Sequence, residues 1–99
     1  GERDDSLSLA AFTETLQAEA SLIKPAYVKF ALTPSDKGTY SLGFNHKTFD
    51  INDDALVVIL SLMKEDAVTT KGTPALLDHF DFLCTLYNHQ ALEFINRET

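Results

Sequence analysis

Ninety-nine residues, 44% of them hydrophobic and 23% charged, fit one domain, 1–99, folded around a single core. A formal charge of −7 argues against a general nucleic-acid binder, because neutralised phosphates supply most of that affinity. One cysteine cannot close an intramolecular disulfide, and the longest apolar run, "ALVVIL", falls far short of the about twenty residues that span a bilayer.

The charge is unevenly spread. Residues 24–49 hold four lysines, Lys24, Lys29, Lys37 and Lys47, against Asp36, a net of +3 that leaves −10 for the rest of the chain. A basic middle set among acidic helices is first of all a solvated surface; the functional reading is an acidic helical face that meets a partner with a basic surface. "GERDDSLSL" shows no signal-peptide pattern, so the expected setting is cytoplasmic, with no membrane partner.

Residues 1–5 are charged and expected to fray. "SLSLAAFTETLQAEASLI" then reads as an amphipathic helix, with Leu9, Phe12, Leu16, Ala20 and Ile23 at helical spacing. Ser8 fits the N-cap, and Leu7 with Phe12 fits a hydrophobic staple across it. Pro25 pushes Lys24 out of the helical region, so the helix is expected to end there.

Period-two patterning takes over next. "AYVKFALT" aligns Val28, Phe30 and Leu32; "PSDKG" is a turn; "TYSLGF" aligns Tyr40, Leu42 and Phe44. After "NHK" the apolar positions become odd-numbered, at Phe49 and Ile51. That change of parity predicts a second tight turn at Asn45–Lys47 and a short third strand, completing an antiparallel meander with one buried face.

"NDDALVVILSLMKEDAV" opens with Asn52 or Asp53 as cap and acids in the first turn, where the helix dipole favours them. Leu56, Ile59, Leu60 and Met63 share a side, but Val57, Val58 and Leu62 lie well away from it. A helix apolar nearly all round is normally covered on more than one face. Thr73-Pro74 then starts a last helix, a cap followed by proline at the first helical position, expected to run to about Asn96.

Within that helix "DHFDFLCTLYNH" (78–89) places two histidines, two aspartates and Cys84 close together. At about 100° per residue, Leu76, Phe80, Leu83, Cys84, Tyr87, Ala91 and Phe94 form one core-facing stripe, so Cys84 is expected to be buried and inert. His79 and His89 are each five positions from it, about 140° around the helix, and neither reaches it as a base. The histidines lie about 15 Å apart along the axis, too far to share one ion. Phe82 and Leu86 fall off the core stripe, beside His79, Glu93 and Arg97, and form a second apolar strip that needs a covering surface.

Other chemistries fail at specific positions. In "DINDD", Asp50, Asn52 and Asp54 match the first ligands of a calcium loop, but the required Gly is Ala55 and the closing Glu is Ser61. Four scattered glycines make no phosphate loop, and no serine or threonine sits in a nucleophile elbow. Asp78 and Asp81 neighbour each other on the polar side, without the burial that would separate their pKa values. Tyr27 and Lys29 on the outer sheet face offer a weak nucleic-acid platform, with Ser41 and Gly43 beside them.

The expectation is therefore an α+β domain: an N-terminal helix, a three-stranded meander, and two C-terminal helices packed on one face of the sheet. Its expected function is a non-catalytic protein-binding module, an inhibitor, immunity, antitoxin-like or adaptor protein. Binding would use Phe82, Leu86, His79, Glu93 and Asp78, against another protein or a second copy of the chain. No cofactor, metal or catalytic residue is expected. The alternative is a small enzyme or ligand-binding protein with a pocket between sheet and helices.

Overall fold

Ser8 starts the first helix through its own side chain, which accepts the Ala11 N–H at 3.1 Å, and α1 runs Leu9–Gln17 with Phe12 and Leu16 buried. The computed structural model describes residues 6–18, 20–36, 38–65 and 67–95; the expected fraying of 1–5, the expected helix end at about Asn96, and Arg97 lie outside them. The elements then follow as β1 (Ser21–Ile23), β2 (Ala31–Pro34), β3 (Tyr40–Phe44), β4 (Lys47–Ile51), α2 (Asp53–Lys64), a 3-10 helix (Pro74–Asp78), α3 (Phe80–Asn88) and β5 (Glu93–Ile95). The α+β class and the order of helix, meander and later helices are as expected.

The meander follows its local signals closely. Leu32, Leu42 and Phe49 lie opposite one another across β2, β3 and β4, and Tyr40 lies opposite Ile51. Phe44 pairs with Lys47, so Asn45 and His46 alone make the turn, with φ of 48° and 65°. Both central residues of a type I′ turn need such positive φ, and its twist matches the flanking strands. Leu42, Phe44 and Ile51 are buried, whereas Thr33, Thr48 and Asp50 face outward, so the sheet presents one side to the core. The first strand is shorter than its pattern: Val28 is buried but belongs to the turn before it.

Two helix ends differ from expectation, for one shared reason. The first helix stops at Gln17 rather than Lys24, because Ser21–Ile23 pairs antiparallel with Glu93–Ile95, and the Leu22 backbone exchanges two 2.8 Å hydrogen bonds with Val68. Correspondingly, the last helix does not reach Asn96. It breaks first at His79, between the 3-10 helix and α3, and ends for good at Asn88.

A Schellman arrangement closes α3: the Ala91 N–H donates to the Leu86 carbonyl and the Gln90 N–H to the Tyr87 carbonyl, both at 2.9 Å. Gln90 takes the left-handed position, φ 69°, that glycine normally fills. Ala91 and Leu86, the residues whose side chains this motif brings together, are both fully buried.

Two aromatic clusters hang from α3. Phe12, Tyr87 and Phe94 meet with ring centroids 5.6, 5.3 and 5.3 Å apart, joining α1, α3 and β5. Phe30, Phe44, Phe49 and His89 form the second, with Phe44 stacked on Phe49 at 5.4 Å. Asn88 adds a polar clasp: its side chain accepts the Leu7 N–H at 2.8 Å and donates to the Leu7 carbonyl at 2.9 Å.

Candidate functional site

Asn52 caps α2 by accepting the Ala55 N–H at 2.9 Å, and Asp53 and Asp54 occupy the first turn, at the positive end of the helix dipole. The helix buries Ala55, Val58, Ile59 and Leu62. Much of its outer surface is apolar too: Val57, Leu60 and Met63, each three residues from the next, are 54%, 48% and 44% exposed. The apolar surplus legible in the sequence is thus real, and part of it meets solvent rather than a second layer of the fold.

Beside the start of that flank lies a concavity of about 610 Å³ between α2 and the 3-10 helix, lined by Asn52, Asp54, Val57, Ala75, Asp78 and His79. Ala75 and Asp78 both reach it because residues three apart eclipse in a 3-10 helix. Its lining combines apolar Val57 and Ala75 with the carboxylates of Asp54 and Asp78. A smaller hollow of about 310 Å³, lined by Gly38, Asn52, Asp53 and Asp54, continues around the helix start. Carboxylates beside exposed apolar side chains attract a cationic group whose stem is apolar, as in lysine or arginine.

Of the five expected partner-binding residues, Asp78 and His79 line this concavity and the other three do not. Leu86 is fully buried in the chain's own core, and Phe82 is half-buried against that core. The covering surface required by the Phe82/Leu86 strip is therefore largely the protein itself, and Leu86 cannot serve as an exposed anchor. The expectation treated 74–96 as one straight helix, whereas the breaks at His79 and Gln90 fold chain around both ends of α3. Glu93 sits in β5 opposite Ile23. Arg97 lies outside the described residues.

Cys84 is 6% exposed and unoxidised, and its thiol donates to the Leu7 carbonyl at 3.6 Å. Burial pushes its pKa up and the negative charge of Asp81 pushes the same way, against a hydrogen bond from Asn88. A high-pKa thiol held on a carbonyl is a poor nucleophile. Among the described residues no three His, Cys, Asp or Glu side chains converge as a metal would require, and no helix is long and apolar enough to cross a membrane.

The residues that sequence reasoning passed over are Val57, Leu60, Ala75 and Asn52 in its second role. The all-round apolarity of α2 was the available signal for the first two. Nothing local signals Ala75, which matters only because the 3-10 helix packs beside α2. The sequence matches no protein-family model, and no curated protein matches it significantly.

Proposed function

We propose that this chain is a non-catalytic protein-binding module whose partner docks on the exposed flank of α2 and sends a basic side chain into the adjoining concavity. The exposure of Val57, Leu60 and Met63 on a well-capped helix carries this reading, since evenly spaced apolar residues on one helix flank are how helical anchors engage a groove. Asp54 and Asp78 select a partner with positive charge and speed its approach. Val57 links the two features, because it belongs to both the flank and the concavity.

The test is a photo-crosslinking residue placed at position 57, with Thr48 on the outer sheet face as the control position. A protein captured at 57 and not at 48 is then purified and titrated against the wild type and a Val57→Asp/Leu60→Asp variant. Weakening by at least roughly tenfold in the variant, and by added salt, supports the reading. Equal capture at both positions, or equal affinity for both proteins, overturns it. If the captured species is the chain itself, sedimentation of wild type and variant decides between a homodimer and a chance adduct.

A further inference from the structure

Near the other end of α3 lies a concavity of opposite character. It holds about 320 Å³ and is lined by Tyr27, Asn45, Lys47, His89 and Gln90. Each of these five side chains carries a group able to hydrogen-bond and none is acidic, in a chain of net charge −7.

Three independent features mark the place. Among the described residues, the non-glycine positions with positive φ are Asn45, His46 and Gln90, and all three lie in this concavity or next to a residue lining it. Asn45 and His46 take it as the central residues of the type I′ turn and Gln90 as the residue that closes α3, so two tight turns hold these side chains beside the concavity. The His89 Nδ1 is buried without a hydrogen-bond partner, alone in this among the described side chains. Tyr27, 73% exposed, is set out by a fixed turn: the Val28 N–H donates to the Pro25 carbonyl at 3.0 Å, and the Lys24 ammonium to the Val28 carbonyl at 2.8 Å.

We propose that this concavity binds a small planar anion, a single aromatic or heteroaromatic ring system carrying one phosphate or carboxylate. Tyr27 supplies a face for the ring to stack on. Asn45 and Gln90 each bring a donor and an acceptor to the ring's polar edge, and Lys47 neutralises the anionic group. The volume is at the small end of ligand pockets, which fits one substituted ring and not an extended chain. This site shares no residue with the concavity beside α2, so it does not depend on the partner-binding reading.

The experiment titrates isotopically labelled full-length chain with a purine nucleoside monophosphate, a hydroxybenzoate, the uncharged nucleoside and inorganic phosphate, following the side-chain amides of Asn45 and Gln90 by NMR. Saturable shifts are expected with the two ring-bearing anions, and binding at least roughly tenfold weaker with the nucleoside or phosphate alone. Phenyl phosphate against benzoate, which share one ring, then identifies the anionic group. Tyr27→Ala is expected to erase the advantage over inorganic phosphate, and Lys47→Gln the advantage over the nucleoside, both with unchanged melting curves. No saturable shift at millimolar concentration overturns the proposal. So does inorganic phosphate binding as well as the ring-bearing anions, or unaltered affinity in both variants.

Discussion

The two concavities are built on opposite terms. The one beside α2 rests on relaxed backbone: a capped helix start, acids placed where the dipole favours them, and a 3-10 helix beginning with proline. Its cost is exposed apolar surface, which is a matter of solubility and leaves folding nearly untouched. The one at the end of α3 exposes little that is greasy except the Tyr27 ring, but holds Asn45 and Gln90 in the left-handed region and leaves the His89 Nδ1 unpartnered. Its cost falls on folding stability. A surface of the first kind is free to vary without unfolding the protein; one of the second kind gains stability when it is simplified.

The largest effect that tests this contrast is at Leu86, in the core between α3 and the rest of the fold. Leu86→Ala is expected to cost about 3–5 kcal/mol, since it removes a fully buried side chain and opens a cavity at the closing motif of α3. Val57→Asp, on the exposed flank of α2, is expected to stay within about 0.5 kcal/mol of wild type. Urea denaturation of the two variants measures both. If Leu86→Ala were as harmless as Val57→Asp, the core assignment of α3 would be wrong.

Next in size is the clasp at Asn88. Asn88→Ala removes the partner of the Leu7 N–H and leaves the Leu7 carbonyl only the weak Cys84 thiol donor, and a loss of about 1–3 kcal/mol is expected. The same change removes one cover from Cys84, so a thiol reagent is expected to modify that residue faster than in the wild type, for which slow modification is expected until denaturant is added. An unchanged rate would mean that α1 and the sheet, rather than the clasp, shield the sulfur.

Smaller, and of opposite sign, is relief at the strained end. Gln90→Gly is expected to raise stability by up to about 1 kcal/mol, the left-handed penalty outweighing glycine's greater freedom in the unfolded chain. For a domain of this size that is a rise in Tm of about 4–8 °C. The variant loses the amide that the proposed ligand needs, so a gain in Tm with a loss of binding is the signature of strain kept for function. A fall in Tm would show that the Gln90 side chain itself holds the turn.

The smallest effect is the pH dependence set by Cys84. Its thiol has a pKa raised above the ordinary value of 9.0, so the folded state holds that proton more tightly than the unfolded chain does. The resulting stability is present in full below the ordinary thiol value and is lost as pH rises through it towards the folded-state pKa. Cys84→Ala should therefore flatten the alkaline limb of the stability–pH curve and leave neutral pH behaviour in place. An alkaline limb identical in the variant would assign it to other groups.

How much of this could be read from residues depends on whether the signal was local. The caps at Ser8 and Asn52, the "PSDKG" turn and the parity switch at Asn45–Lys47 are complete within a few positions, and each element they define is present. The ends of α1 and α3 were hidden because their terminators lie elsewhere in the chain. Leu22 leaves the helical pattern to pair with Phe94 and Val68, and Gln90 does a glycine's work without being one. The same loss misplaced the site. A helical wheel drawn across 74–96 puts Leu86 on an outer flank, while the real breaks at His79 and Gln90 wrap the chain over it. On α2, which has no such break, the excess of apolar residues was a sound guide to exposed surface, although the sequence did not say which of them would be left uncovered.

The pairing of β1 with β5 also bears on how the chain comes to be folded. Ser21 meets Ile95 and Leu22 meets Phe94, while the Asn88 clasp reaches back to Leu7, so contacts that close the structure join its two extremes. The meander, by contrast, needs only neighbours and short turns, and closing short loops costs less entropy and takes less time. During synthesis the hairpins at Gly38 and Asn45 can therefore form while the stretch after α2 is still being made. Leu22 has no partner on the β5 side until Phe94 has left the ribosome. Until that moment α1 and β1 are a greasy segment waiting on an unpaired edge, the interval in which this protein is most exposed to aggregation and to chaperones.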